Sequence, residues 1–162
     1  MDEANLLDRL IEILRQNEIR YCVVGGQAVN AYVEPVVSLD LDLAVAMGDL
    51  DRVESLLALH FHVERFEHSF NISHPGSDVR VQIQRDPRYA EFVGRARTRS
   101  ILTVSMPVAA LEDVLQGKVW AAQDPGRRPS KRQKDLADIA RLLESYPELK
   151  DRVPADILDR LV

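Results

Sequence analysis

The stretch Tyr21–Val45, "YCVVGGQAVNAYVEPVVSLDLDLAV", decides how the chain is read. A glycine pair, Gly25-Gly26, ends a short apolar run, and 14 residues past the second glycine comes Asp40, followed by Asp42, inside another apolar run. "YCVV" has the length and composition of a buried strand, which the glycines terminate. "QAVNAYV" predicts a short helix that stops before Pro35. "SLDLDLAV" alternates, with Leu39, Leu41 and Leu43 on one side and Asp40, Asp42 and Ala44 on the other, which predicts a strand.

Residues i and i+2 of a strand share a face, roughly 6–7 Å apart at their Cα atoms. Two carboxylates so placed repel each other unless a cation or hydrogen-bond donors lie between them. The pair is therefore either the polar outer face of a half-exposed strand or a holder for Mg²⁺. That ion usually takes one or two carboxylates together with substrate phosphates. The glycine pair has the same two readings, a tight turn or a strand-to-helix junction whose backbone N–H groups approach a phosphate. Together the two features make one coherent site.

Working outward, "EANLLDRLIEILRQNEI" places Leu6, Leu7, Leu10, Ile11 and Leu14 at helical spacing. Asp49 is positioned to cap a helix through Leu59. "FHVERFE", "FNISH" and "DVRVQIQ" read as strands, the last with Val79, Val81 and Ile83 opposite Asp78, Arg80, Gln82 and Gln84. A short helix around "PRYAEFVGRA" and a strand "ILTVSM" ending at Pro107 follow. Two helices, "ALEDVLQGKVWAAQ" and "KRQKDLADIARLLESY", flank the Pro/Gly-rich "DPGRRPS", and a last helix starts at Asp156. A mixed sheet with helices before, within and after it is an α/β or α+β chain. At 162 residues it is expected to be one domain, with a sheet core over 1–107 and a helical part over 108–162.

Apolar content of 46% and charged content of 29% are those of a globular protein. The acidic, amphipathic "MDEANLLDRL" does not read as a signal peptide, and no apolar run approaches the ~20 residues that span a bilayer. Cys22 is the sole cysteine, which excludes a disulfide framework and a cysteine zinc site. The expected setting is the cytoplasm. Net charge is unevenly spread: residues 1–79 carry 5 Lys/Arg against 14 Asp/Glu, residues 80–134 carry 12 against 5, and residues 135–162 carry 4 against 7. The basic middle either faces an anionic partner, nucleic acid or nucleotide phosphate, or is a solvated mixed surface.

Lys118 falls inside the apolar stripe Leu111, Val114, Leu115, Val119 and Ala122 of its helix. An inward lysine needs a partner, phosphate oxygens or the Asp40/Asp42 carboxylates, unless it snorkels past the helix edge. Lys131/Asp135 and Lys134/Asp138 have the i,i+4 spacing of pairs on an exposed helix face. His60 and His62 share a strand face without a third ligand at metal-like spacing, and with His68 and His74 they read as surface or packing residues. Trp120 reads as a partly buried packing residue. The arginines of "RDPRYAEFVGRARTR" and "GRRPSKRQK" contact an RNA backbone or are solvated.

The succession "VVGGQAVNAY", "SLDLDLAV" and "LEDVLQGKVWAAQDPGRRPSKRQKDLADIARLL" resembles the nucleotidyltransferase superfamily with the polymerase-beta-like core. Among its branches it is most similar to the AbiEii/AbiGii-toxin-like small nucleotidyltransferases. The resemblance implies a mixed, twisted sheet carrying the site on adjacent strands, backed by C-terminal helices. It implies transfer of a nucleoside monophosphate from a nucleoside triphosphate to a hydroxyl, with Mg²⁺ or Mn²⁺ clamping the phosphates. Asp40 and Asp42 would hold the metal and, with Lys118, act in catalysis. Gly25, Gly26, Gln82, Lys134 and Asp135 would line the nucleotide site. The implied partners are a nucleoside triphosphate and RNA, tRNA included, or a protein, with a cognate antitoxin, and no membrane. Two departures are plain. The position matching the superfamily's third carboxylate is Gln82, which can coordinate but cannot serve as a base; Asp78, on the same face, lies about 13 Å away along the strand. The basic residue often found before D-x-D is absent from "PVVS". The alternative is therefore a catalytically degenerate module of the same fold that binds nucleotide or a protein partner.

Overall fold

The computed structural model describes residues 3–38, 40–46 and 48–161; Leu39, expected beside Leu41, lies outside them. Among the described residues seven strands form one sheet, in the spatial order His62–Arg65, Ser69–Ser73, Arg80–Gln84, Asp40–Val45, Tyr21–Val24, Val104–Val108 and Arg97–Ile101. Its centre is built from the opening stretch. Strand β1 (Tyr21–Val24) lies antiparallel to β2 (Asp40–Val45) and parallel to β7 (Val104–Val108), while β2 runs parallel to β5 (Arg80–Gln84). The β3 (His62–Arg65) and β4 (Ser69–Ser73) hairpin extends the sheet on one side, and β6 (Arg97–Ile101) closes the other. Mixed pairing with helices on the sheet is the expected α/β class.

Leu6, Leu7, Leu10 and Leu14 of α1 (Glu3–Gln16) and Val53 and Leu57 of α3 (Leu50–Ala58) are buried with the strand residues Val23, Leu41, Leu43, Val81 and Ile83 in one apolar cluster. Helix α2 (Gly25–Asn30) starts on the glycine pair itself, and α4 (Leu111–Gln123) packs against both α2 and α5 (Pro129–Ser145). A last helix, α6, has four residues, Ala155–Leu158.

Three local expectations need correction. "ILTVSM" is not one strand ending at Pro107: the chain reverses at Leu102-Thr103, and Pro107 lies inside β7, opposite Thr98. Both turn residues have positive φ, 50° and 67°, as a two-residue hairpin of the I′ type demands; neither is the Gly or Asn that announces such a turn. The segment Pro87–Arg95 is a 3₁₀ helix, capped by the Asp86 carboxylate accepting from the Arg88 amide (3.0 Å). Asp49 does precede α3, but its side chain makes no capping bond and instead meets Arg52 at 3.4 Å.

Leu102 and Thr103 each occupy a conformation that costs an L-residue about 1–2 kcal/mol. Replacing Thr103 by Gly is expected to raise stability by about 1 kcal/mol, seen as a higher urea midpoint with unchanged slope.

Candidate active site

The strand-to-helix junction makes the site. Val24 is extended (φ −127°), Gly25 turns left-handed (φ +70°), and α2 begins at once. A Cβ on Gly25 would stand 2.3 Å from Asp42 Oδ2, so the glycine is required both by its φ and by the carboxylate packed against it. Asp42 sits in a register row that crosses four strands, Val24, Asp42, Gln82 and Asn71. Asp40 pairs in register with Arg80, whose Nε donates to Asp40 Oδ1 at 3.1 Å.

A cavity of about 330 Å³ opens over this row. Gly26, Asp40, Asp42, Gln82, Lys118, Lys134 and Asp135 all line it, so residues far apart in sequence are brought to one place. Its wall carries seven cationic side chains (Arg80, Lys118, Arg127, Arg128, Lys131, Lys134, Arg141) against four carboxylates (Asp40, Asp42, Asp135, Asp138), a surplus of three positive charges.

Lys118 is buried as expected, but its partners are not Asp40 and Asp42. Its Nζ lies 3.1 Å from Asp135 Oδ1 and 2.9 Å from Asp138 Oδ2. Arg127 grips Asp135 through Nε (2.8 Å) and Nη2 (3.0 Å), and Arg141 meets Asp138 at 2.8 Å. Asp135 and Asp138 are thus not on an exposed helix face paired with Lys131 and Lys134. They turn inward, 0% and 9% exposed, with Ile139 and Leu142. That shared spacing, 135, 138, 139 and 142, is the signal by which the sequence could have disclosed Asp138. Arg127 and Arg141 carry no comparable signal. Burial alone would pull the Lys118 pKa down, but Asp138 and Asp135 outweigh it and the net shift is upward. Arg141 also donates to the Glu34 carbonyl (2.6 Å) and to Asn30 Oδ1 (3.1 Å), tying α5 to the loop after α2.

Arg128, Lys131 and Lys134 have no ion-pair partner among the described residues. Asp42 Oδ1 is buried with no hydrogen-bond partner. Burial holds the Asp42 pKa above the ordinary value of 3.8, aided by the neighbouring charge of Asp40 and opposed by Lys118, Arg127 and Lys131. An orphaned carboxylate oxygen beside a second carboxylate fits a divalent cation, whose charge would favour the ionised form that burial disfavours. No group of three or more acidic, His or Cys side chains placed so as to hold a metal ion by themselves occurs among the described residues. Asp40, Asp42 and the Gln82 carbonyl would therefore hold such an ion only with oxygens from a substrate.

His60, His62 and His68 are exposed, and His74 meets Phe61 edge-on at 6.3 Å between ring centroids. Trp120 packs flat on Phe92 (5.6 Å, 3°) with Arg88 over its ring at 4.3 Å. Of the basic segments, Arg95 is bound to Asp113 at 2.7 Å. Burial, with Asp113 adding, pushes the Cys22 thiol up to about 12 and keeps it protonated. No helix among the described residues is long and apolar enough to cross a membrane.

No protein-family model matches the chain, and no curated protein matches it in sequence. Solved structures do. The antibiotic-resistance factor ANT(2")-Ia, in complex with adenylyl-2"-tobramycin, superposes with a TM-score of 0.62 at 15% identity over 99% of each chain. An antigenic nucleotidyltransferase-like protein from Paracoccidioides brasiliensis gives 0.56 at 18% identity, over 87% of this chain and 75% of that one. The lincosamide antibiotic adenylyltransferase LnuA, lincomycin-bound, gives 0.52 at 11% identity over 84% and 95%. At such identities the likeness is one of fold: this chain has the nucleotidyltransferase fold.

Two consequences are measurable in the free protein. A raised carboxyl pKa means that folding penalises the ionised form, fully above the folded-state pKa and progressively less as pH falls towards 3.8. Asp42→Asn is accordingly expected to raise the melting temperature at pH 7 by about 2–4 °C, the equivalent of ~1 kcal/mol. That gain should shrink as the scan is repeated in acid. Gly25→Ala combines a left-handed φ with a clash and is expected to cost about 2–4 kcal/mol. Gly48→Ala, with φ +87° and nothing within 4 Å of its Cβ, should cost only about 1–2 kcal/mol. Urea unfolding of the two variants measures the difference.

Proposed function

We propose that this protein transfers a nucleoside monophosphate from a nucleoside triphosphate to an acceptor hydroxyl, releasing pyrophosphate. The observation that carries the proposal is the cavity whose floor bears Asp40 and Asp42 and whose wall has three more cations than carboxylates. A polyanion that brings a divalent cation satisfies both at once. The nucleotidyltransferase fold supports the same reading.

In this reading Gly25 and Gly26 let the backbone approach the triphosphate, and Lys134 with Arg128 and Lys131 meets its outer phosphates. Asp40 and Asp42 hold the metal, Mg²⁺ or Mn²⁺, with the Gln82 carbonyl beside them. That ion, when bound, neutralises charge developing on the phosphates. Lys118 is the charge that most opposes the rise that burial imposes on the Asp42 pKa. Asp135, fully buried with both oxygens engaged, serves the nucleotide through the cations it holds, Lys118 and Arg127. Residues 1–162 act as one domain in which the helices of 108–162 roof the sheet core of 1–107. The enzyme would be cytoplasmic. Resemblance to the AbiEii/AbiGii-toxin-like branch would add a toxin–antitoxin setting, with RNA, tRNA included, or a protein as acceptor and a cognate antitoxin as partner.

One observation favours a second reading. The residue in register with Asp42 on the neighbouring strand is Gln82, which is neutral and cannot take a proton from an attacking hydroxyl. A module that binds nucleotide without turning it over would look like this.

Thermal-shift titration of wild type and Asp42→Asn with each nucleoside triphosphate, with and without Mg²⁺, tests the donor site. Ligand at about 100 times its dissociation constant should add about 2.7 kcal/mol to the folded state. The expected result is a Mg²⁺-dependent rise in wild type that Asp42→Asn lacks. Absence of a rise with every nucleotide would sink the transferase reading.

A further inference from the structure

The cavity over Asp40 and Asp42 is walled almost wholly by polar groups, and eleven of its lining side chains are charged. Among the described residues, Val36 and Val37 are its only apolar side chains, both from the loop between α2 and β2. They are 56% and 93% exposed, and Val37 is the most exposed of the large apolar side chains described. A single valine on a surface is ordinary. A pair of them lining a charged cavity is not, because the loop that carries them is fixed on both sides. Arg141 donates to the Glu34 carbonyl at 2.6 Å. The Asn30 side chain bonds both the carbonyl of Val36 (2.8 Å) and its amide (3.1 Å), and Gln27 donates to the Ser38 carbonyl at 2.8 Å. Val37 stands between these anchors and touches little of the protein.

We propose, resting on the donor reading above, that Val36 and Val37 seat the nucleobase of the triphosphate and hold it by the face of its ring. A nucleoside triphosphate is a polyanion at one end and a flat, largely apolar ring at the other. The wall has a counterpart for each, at two ends of one helix face. Lys131, Lys134, Asp138 and Arg141 recur at spacings of three and four, so they follow one face of α5. Lys131 and Lys134 have no ion-pair partner among the described residues, whereas Arg141 is bonded to the valine loop. The helical rise puts Arg141 about 10 Å beyond Lys134 and about 15 Å beyond Lys131. A ribose with its chain of phosphates spans such a distance. Phosphates on the two lysines therefore leave the ring beside the loop.

Elsewhere on this wall the ring would cover charged groups, which lose hydration without gaining a partner. Stacking on one of the free cations would also take from the phosphates a charge that they need. Asn30, which anchors the loop and lines the cavity, has no bond left for the edge of a base. Its Nδ2 is spent on the Val36 carbonyl, and its Oδ1 is shared by the Val36 amide and Arg141 (3.1 Å). The two valine side chains thus offer the ring apolar contact and no hydrogen bond. The anchoring bonds at Val36 are made by its backbone, so both valines can be exchanged without releasing the loop.

Titration calorimetry in one Mg²⁺ buffer compares three probes on the full chain: ATP, the base-free ribose 5-triphosphate, and inorganic tripolyphosphate. In wild type ATP is expected to bind about 3- to 10-fold tighter than ribose 5-triphosphate, the half-burial of one valine. Val36→Ser/Val37→Ser should remove most of that ratio and leave the tripolyphosphate dissociation constant unchanged. Val37→Tyr, which offers the ring a larger apolar face, should widen the ratio, again without effect on tripolyphosphate. ATP no tighter than ribose 5-triphosphate, a ratio that survives the double substitution, or a loss of tripolyphosphate binding along with the ratio would each overturn the proposal. In those cases the loop's apolar pair faces something other than a base, or only shapes the cavity. Failure of wild type to bind any of the three probes would instead overturn the donor reading, and this proposal with it.

Discussion

The arrangement depends on a buried ion network. Lys118 on α4, Asp135 and Asp138 on α5, and the guanidinium groups of Arg127 and Arg141 form a set of three cations and two carboxylates held largely away from water. Removing one member of such a set leaves an uncompensated buried charge, which typically costs about 3–5 kcal/mol. The network thereby fixes where α4 and α5 sit relative to each other and, through Arg141 and the Glu34 carbonyl, where the loop after α2 sits. The cavity is the space these three pieces enclose with the sheet.

The same network resolves the difficulty posed by Asp42. A carboxylate on a central strand, with one oxygen orphaned and the other pressed against Gly25, is a local liability. The network's cations Lys118 and Arg127 oppose the rise that burial imposes on the Asp42 pKa, without giving that carboxylate a partner of its own. Its oxygen remains available in a way that a satisfied carboxylate would not. A protein that needed only stability would place an apolar residue or an amide there; local rules broken at one place and offset by neighbours are the pattern of functional sites.

Much of this was legible from the amino acids. The strand Tyr21–Val24, the turn at the glycines and the D-x-D alternation are local signals, written in periods of two and in glycine's freedom at positive φ, and the structure places them as read. Lys118 was legible as inward because its helical stripe said so. Its partners were not, since Asp135 and Asp138 sit across a turn and also match the lysines four residues before them. Charge spacing within a helix does not say which face is buried; the apolar residues Ile139 and Leu142 did, and were the better guide. The Leu102-Thr103 hairpin was hidden because its turn uses residues that seldom adopt left-handed φ.

The bond from Arg141 to Glu34 spans 107 residues, and that from Arg141 to Asn30 spans 111. Contacts of such separation form late, because the chain must close a long loop before they can be made. During synthesis the glycine pair and both strand aspartates leave the ribosome well before the cations that make their grouping tolerable. The emerging segment is acidic where the wall of the finished cavity carries a cationic surplus. On the proposed reading, the groups that would meet a nucleotide come together only once α5 docks, so that assembly of the site and completion of the fold are a single event.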